Sequence, residues 1–320
     1  MVELYTPCFK LEIAGIDKTK EIWKNLDNLQ YSDLEEGESD TLSFTVANCP
    51  AFAIPVRGGA VRLWLGWKEG RMKYFGSFNV DEISGDFSPA TMTITAKSAY
   101  LCADSTLKQK ADRQWEKISL ADLTAKIAAK HGCKAKVSIK TYYTYQAQTN
   151  ESDMAFLKRL AKEAGGSLTI KDKTFIIAPS GVATRSKTSL QFTAACSGSF
   201  TVQDREKYGS VKAVWWDKEN AREVAIVEGD GQPTHRIRKR FASAAEAKSA
   251  ISGYLAKLNK SQVSLDITIP GDPMLVSGAE VTCSGFSPKE VNGKYLAKSV
   301  THNISKTGGW TTDITLDKIS

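Results

Sequence analysis

The spacing of apolar positions divides the chain into two β-rich parts with a helical part between them. Residues 7–100 hold short apolar stretches separated by polar or glycine-containing turns at hairpin-like intervals, which predicts antiparallel strands. The clearest hairpin pairs residues 61–67 with 72–80, and Gly70 in its turn is expected to take a positive φ. This part of the chain is expected to form a barrel or a sandwich.

The hydrophobic period changes between residues 102 and 181. Apolar side chains recur there at helical spacing, and Ser119 and Gly132 give the start and stop of a first helix. A second helix starts at Ser152 and ends at Gly165, before a hairpin-like stretch. The predicted apolar faces are Leu120, Leu123, Ile127 and Ala128 in the first helix and Phe156, Leu157, Leu160 and Ala164 in the second. The pattern predicts a small α+β module.

Residues 190–320 return to β character, interrupted by one helix over residues 243–258. Its sequence Ser243-x-x-Glu246 is typical of a capping box. The side chains expected to be buried in it are Ala247, Ile251, Tyr254, Leu255 and Leu258. The predicted fold is therefore mainly β with an α+β insert, with two antiparallel β-barrel domains at 1–101 and 182–320 on either side of an insert domain at 102–181.

Composition supports a folded chain with cores of its own. Apolar residues make up 42% of the 320 residues, and no run approaches the roughly 18 uncharged apolar residues that a membrane helix needs. The N-terminal stretch lacks the regions of a secretory signal, so folding in a cytoplasm is expected.

The chain offers little for acid–base or metal chemistry. Its cysteines are far apart and without metal-ligand spacing, so all are expected to be reduced packing residues: Cys8, Cys49, Cys102, Cys133, Cys196 and Cys283. Three histidines are present: His131 at a predicted helix end, His235 beside basic residues, and His302 in an alternating strand. No nucleotide-binding, metalloprotease or nucleophile-elbow motif occurs. We expect no cofactor, no metal and no enzymatic activity.

Basic residues are concentrated in the strip 235–240. Residues 1–100 carry 10 basic and 14 acidic side chains, against 33 and 22 in the remainder. Along a strand, Arg236, Arg238 and Arg240 would share one face, with Lys239 between them. The strip is a candidate for binding an acidic partner, for an ion-paired subunit interface, or for a solvated edge strand. Specific binding of nucleic acid is not expected, because no aromatic side chains are interleaved with it.

Two motifs resemble a known family. Residues 148–165 are similar to the "Q-x-x-E-S-D-x-x-F-L-x-R-L-A-x-E-x-G" segment of phage late control D proteins, which are tail hub proteins related to the hub part of type VI secretion VgrG spikes. Gly271 to Pro273, Asn292 to Tyr295, Val300 to His302 and Gly308 to Thr312 resemble the family's closing "G-x-P … N-G-x-Y … V-x-H … G-G-W-x-T" pattern. Read as residues, the second motif predicts a β-meander with His302 and Trp310 on neighbouring strands.

The resemblance implies a structural role in the baseplate of a contractile tail. The two β domains would be similar to tail-tube domains, so that a homotrimer presents six of them in a ring. Such a ring would join a sixfold tail tube to a threefold central spike and pass the tape-measure protein, among other baseplate proteins. The chain ends at Ser320 directly after the meander, so spike or lytic activity is expected from another chain.

Two alternatives stay open at this point. The same fold would serve as the hub of a contractile bacteriocin or a secretion system. Less favoured is a peptidoglycan-binding or peptidoglycan-degrading component carried by the insert.

Overall fold

The computed structural model describes residues 6–34, 39–47, 59–98, 106–171, 174–179, 186–203, 208–258 and 263–319. Four α-helices occur in these residues: α1 Thr19–Asn25, α2 Leu120–Lys130, α3 Asp153–Glu163 and α4 Ala244–Leu258. The strands of the first half are β1 Pro7–Ile13, β2 Ile16–Asp17, β3 Leu26–Leu34, β4 Thr41–Ala47, β5 Ala60–Trp67, β6 Lys73–Phe87, β7 Ala90–Ser98, β8 Lys110–Ser119, β9 Lys134–Val137 and β10 Tyr142–Ser152. Those of the second half are β11 Gly166–Lys171, β12 Thr174–Pro179, β13 Lys187–Gln191, β14 Ser197–Val202, β15 Ser210–Asp217, β16 Arg222–Gly229, β17 Thr234–Phe241, β18 Val263–Pro270, β19 Glu280–Ser284, β20 Gly293–Ser305 and β21 Gly309–Lys318. The mainly β fold with an α+β part is confirmed.

Strands from both ends of the chain form one sheet of 13 strands. Its main path runs β14-β18-β21-β20-β3-β4-β7-β6-β5-β1-β2, and β13 and β19 join it through β20. The two β-rich parts meet where β20 pairs antiparallel with β3, with His302 opposite Tyr31. The predicted β-meander is present, since β19 and β21 both pair with β20.

The core of this sheet follows the alternation of its strands. In β5, Val61, Leu63 and Leu65 are fully buried, as the period of two predicts. The predicted hairpin of β5 and β6 is confirmed. The prediction of a positive φ at Gly70 is wrong, because Gly70 is not one of the glycines with a positive φ. Its N–H donates to the Trp67 carbonyl at 2.9 Å and so closes the turn.

Helices α2 and α3, the two predicted for the insert, begin and end at the predicted cap residues. Ser119 and Ser152 each accept a backbone N–H with the side-chain oxygen, at the N-termini of α2 and α3. Gly132 and Gly165 follow the helices with φ of 66° and 78°. All eight residues predicted for the two apolar faces are buried. Three short sheets accompany the helices, β10-β8, β11-β12-β9 and β16-β15-β17.

Helix α4 packs on one face of the sheet β16-β15-β17. Ala247 and Ile251 are buried there, Tyr254 and Leu255 are partly buried, and the side chain of Leu258 lies outside the described part of the chain. The capping box is confirmed in a modified form. Ser243 Oγ accepts the N–H of Glu246 at 3.2 Å, but the Glu246 carboxylate accepts the N–H of Ala242 at 3.4 Å.

The described chain groups into two compact units. Unit 1 holds residues 1–104, 185–200 and 264–317, and unit 2 holds 105–184, 201–263 and 318–320. The pairing of β3 with β20 is the physical reason that the last strands belong with the first. The division at 101 and 181 stays a prediction, and residues 99–105 and 180–185 lie outside the described part.

Further sequence expectations have clear outcomes. Cys8, Cys133, Cys196 and Cys283 are free thiols, whereas Cys49 and Cys102 fall outside the described residues. Among the described residues, none of the helices has the length and apolar character needed to cross a membrane.

Candidate interaction surface

The basic strip lies on β17, at one edge of the sheet β16-β15-β17. In the described residues β17 has a single strand neighbour, β15, to which it is parallel. Ile237 and Phe241 are buried beneath α4. The four candidate residues are all exposed: Arg236, Arg238, Lys239 and Arg240. The strip therefore borders solvent, as the edge-strand interpretation predicts.

An irregularity in the pairing interrupts the predicted alternation. Arg236 faces Lys212 and Arg240 faces Val214, so three residues of β17 lie opposite one residue of β15. Lys239, which strict alternation would place on the buried side with Ile237, is exposed. The alternation is therefore not strict along β17, and a shared face for Arg236, Arg238 and Arg240 stays a prediction.

Two of the four cations are paired within unit 2. Lys239 Nζ lies 2.6 Å from Glu163 Oε2, and Arg240 Nε lies 2.9 Å from Glu223 Oε1. Arg236 and Arg238 have no ion-pair partner in the part of the chain that is described. These two arginines are the charges of the strip available to another molecule.

The open face of the sheet is partly apolar. Val211, Ala213 and Trp215 of β15 point toward α4, so the alternate residue Trp216 points the other way. Trp216 and Val227 are 43% and 51% exposed. These two side chains are four positions apart along the sheet, since Trp216 pairs with Glu223 and Val227 pairs with Lys212, so they are separate exposed apolar residues on the face.

His235 does not contribute a ligand site. Its ring lies 5.1 Å from the Tyr208 ring and is stacked 5.5 Å from the Tyr254 ring, measured between centroids. Within the described residues no cluster of His, Cys, Asp or Glu has metal-binding geometry.

The first sequence motif forms a buried polar network around Asp153, at the start of α3. Arg113 Nη1 and Gln148 Nε2 each donate to Asp153 Oδ1 at 2.9 Å. His131 Nε2 and Lys130 Nζ donate to Oδ2 at 2.8 and 3.2 Å. The Asp153 side chain is 1% exposed. With four donors and no exposure, this carboxylate is placed for structure and not for proton transfer to a substrate.

Electrostatics keep Asp153 ionised. Burial alone would raise the pKa of its carboxyl, but hydrogen bonds from Gln148, His131 and Lys130, with the charge of Arg113, outweigh that effect. The pKa of Asp153 is therefore held below its usual value. Arg113 and Lys130 were missed by sequence reasoning, because Arg113 lies in β8, whose residues are mostly charged or polar, and Lys130 is the last residue of α2 and outside its apolar face.

Glu151 and Arg159 complete the motif. Arg159 Nε and Nη2 donate to the Glu151 carboxylate at 3.0 and 2.7 Å, and Nη2 also reaches the Ala147 carbonyl at 3.0 Å. The hydrogen bond to Glu151 raises the pKa of the Arg159 guanidinium. Burial acts in the opposite direction, and its effect is smaller. The pair ties β10 to α3.

The second motif links β20, β21 and the loop after β18. Thr312 Oγ1 lies 2.9 Å from His302 Nδ1 and accepts the N–H of Asp272 at 3.2 Å. A Cβ atom on Gly271 would overlap the indole of Trp310, so only glycine fits there. Asn292 closes the loop after β19 through hydrogen bonds with Phe286.

His302 is fully buried and neutral. Its ring stacks on Tyr31 at 6.0 Å, and burial lowers the pKa of its imidazole to about 4 despite the nearby Asp33 charge. The interpretation of His302 as a structural imidazole agrees with this environment.

Comparisons with known proteins agree on one family. The profile of the phage tail baseplate hub (GPD) family matches residues 51–308. A probable baseplate hub protein of Escherichia phage 186 is 25% identical over 97% of this chain and 92% of its own length. A probable baseplate hub protein of Escherichia phage P2 is 30% identical over 66% of this chain and 56% of its own length. The fold is also similar to the 43 kDa tail protein of a Shewanella oneidensis prophage, with a TM-score of 0.72, 14% identity, and coverage of 97% of this chain and 98% of that one.

Proposed function

Because this chain belongs to the phage tail baseplate hub (GPD) family and is a baseplate hub protein, we propose that it acts as a trimeric adaptor between a sixfold tail tube and a threefold central spike. The observation that carries the proposal is the family match, which spans the insert and reaches into both β-rich parts of the chain. Three copies, each with two tube-like β domains, would supply six positions for the tube.

The 13-stranded sheet supports this arrangement. The first β-rich part contributes the run β3-β4-β7-β6-β5-β1 and the second contributes β14-β18-β21-β20, joined edge to edge. A subunit built in this way offers two groups of strands that share one sheet. Repeating it three times around an axis would give a closed ring with six groups.

We assign the hub to binding and not to catalysis. Its partners would be the tail tube protein, the central spike protein, the tape-measure protein and other baseplate proteins. Baseplate hub proteins belong to the virion tail, and assembly of this one in the host cytoplasm is part of the proposal. Arg236 and Arg238, with the internally paired Lys239 and Arg240, would contact an acidic surface of one of these partners.

The mass of the purified protein in solution tests the proposal. Light scattering is expected to give about 105 kDa, three times the 35.0 kDa chain, and negative-stain images of the same sample should show a ring with a central hole. A protein that stays monomeric at high concentration, even with its spike partner present, would contradict a trimeric adaptor.

A further inference from the structure

A small cavity in unit 2 is lined by residues of the insert, of β17 and of helix α4. Its volume is about 10 Å³. Strand β10 contributes Tyr143 and Gln146, the end of α3 contributes Glu163, and α4 contributes Glu246 and Ser249. A cavity needs roughly 10–15 Å³ to hold one water molecule, so the volume of this one is of the size that a single water needs.

Two buried polar atoms at this cavity lack a hydrogen-bond partner. Tyr143 is 3% exposed and its Oη has no partner. Glu246 is 8% exposed; its Oε2 accepts a backbone N–H while its Oε1 has no partner. Leaving such atoms unsatisfied is unfavourable, whereas a bridging water restores hydrogen bonds at a small cost in entropy. The cavity therefore combines the space and the chemistry that a bound water requires.

The remaining lining supplies further partners. Thr141 Oγ1 and Ser249 Oγ lie 3.2 Å apart, and Lys239 Nζ and the Glu163 carboxylate form their ion pair at the cavity. A buried water makes about three hydrogen bonds, so two unsatisfied atoms plus one of these groups are sufficient. A monovalent cation is a poorer occupant, because Lys239 already brings a positive charge and burial, the largest influence, raises the pKa of Glu246.

We propose that this cavity binds one ordered water molecule, which bridges Tyr143 Oη and Glu246 Oε1 and so joins strand β10 to helix α4. The Tyr143 hydroxyl donates to the water, and the water donates to the carboxylate. The water is thus part of the contact that groups residues 105–184 with 201–263 in one unit.

A crystal structure of the full chain, at a resolution that shows ordered waters, tests the site directly. The expected result is a density peak within hydrogen-bond distance of both Tyr143 Oη and Glu246 Oε1, which disappears or moves in Tyr143→Phe. An empty cavity, or a direct hydrogen bond between the two side chains, overturns the proposal.

Thermal unfolding gives an independent test in solution. Tyr143→Phe and Glu246→Gln are each expected to lower the unfolding midpoint, and the double variant should lose less than the sum of the single losses, since both act through one water. Tyr142→Phe, at an exposed position on the same strand, is the matched control and should leave the midpoint unchanged. Strictly additive losses, or no loss in Tyr143→Phe, contradict a shared water.

Discussion

Asp153 is a buried charge whose partners come from three different elements. Arg113 lies in β8, Lys130 and His131 lie at the C-terminal end of α2, and Gln148 lies in β10. Its position in the first turn of α3 also suits the partial positive charge of a helix N-terminus. One carboxylate therefore fixes the relative positions of four elements of the insert.

Removing the negative charge of Asp153 is expected to lower the free energy of unfolding. In Asp153→Asn four side-chain donors lose their anionic partner, and breaking a buried pair from one side costs about 3–5 kcal/mol. Urea unfolding should show that loss as a lower free energy of unfolding. Asp230→Asn, in an exposed turn, is the matched control. A loss below about 1 kcal/mol for Asp153→Asn would show that the network contributes little.

His302 predicts a pH dependence of stability. The pKa of its imidazole is about 4 in the fold and about 6.5 in an unfolded chain, so the unfolded state binds the proton first as pH falls. The free energy of unfolding should therefore decrease between about pH 6.5 and pH 4. His302→Phe should flatten that decrease.

Nuclear magnetic resonance titration measures the same property site by site. The His302 ring signal is expected to titrate with a midpoint near pH 4. A midpoint near 6.5 would mean that the ring is accessible and would remove the basis of the stability prediction.

Asp153 and His302 can be identified from the sequence more readily than the residues that they contact. The motif around Asp153 is visible as a run of letters, yet Arg113 lies 40 residues away on a strand without an apolar pattern. Similarly, His302 was predicted to be structural from its alternating strand, but its contact with Thr312 depends on how β20 and β21 pair. Long-range polar partners need the fold before they are identified.

Helix α4 depends on a glycine that helix propensity alone would disfavour. A Cβ atom on Gly253 would overlap the Cα of Gly165, so the helix and the end of α3 meet backbone to backbone. Ser249 Oγ lies close by and donates to the Ala164 carbonyl at 3.5 Å. The contact is possible only because neither position carries a side chain.

Gly253→Ala is therefore expected to destabilise the protein. Alanine favours a helix over glycine by about 1 kcal/mol, so a helix without this contact would gain stability. Here the overlap should outweigh that gain by about 1–3 kcal/mol. Thermal unfolding measures the sign, and Ser252→Ala, exposed in the same helix, is the control. A higher midpoint for Gly253→Ala would refute the close contact.

Elements with clear periodicity and caps were predicted well, and elements without them were not. Helices α2, α3 and α4 and the β5–β6 hairpin follow from apolar spacing and cap residues. Helix α1 was missed because it is short and its N-terminus has no side-chain cap, and only Ile22 of its residues is buried. The irregularity in β17 was missed because the spacing of Arg236, Arg238 and Arg240 looks regular in sequence.

At the scale of the whole molecule, the limits between compact units could not be read from local pattern. The change of hydrophobic period predicts a helical part between two β-rich parts, and the limits at 101 and 181 stay a prediction. However, the contact of β3 with β20 joins residues 273 positions apart, as in the hydrogen bond from Gln30 to Asn303. No local pattern in the sequence identifies such a long-range strand pair, so the pairing could not be predicted before the fold was known.

The basic strip leads to a prediction for the assembled hub. Arg236→Glu combined with Arg238→Glu should leave unfolding unchanged, because neither arginine has an ion-pair partner in the described residues. Binding to the acidic partner should fall by about tenfold or more, since like charges then meet at the interface. Sedimentation of the hub with purified tube or spike protein measures the loss.

A second pair of substitutions serves as a control. It distinguishes an effect of where the charge lies from an effect of the net charge of the protein. Lys134→Glu with Lys136→Glu makes the same change of charge on β9, where both side chains are exposed. Equal losses in the two double variants would show that the strip has no special role and that only overall charge matters.

The junction of β3 with β20 also affects how the protein is made. Translation at about 5–20 residues per second delays the partner of β3 by about 14–55 seconds after β3 itself emerges. During that interval the nascent chain carries an incomplete sheet with an open edge, which is prone to pair with the wrong strand. We therefore expect fragments that lack the last strands to aggregate when they are expressed, and ribosome-bound chains to need a chaperone until synthesis is complete.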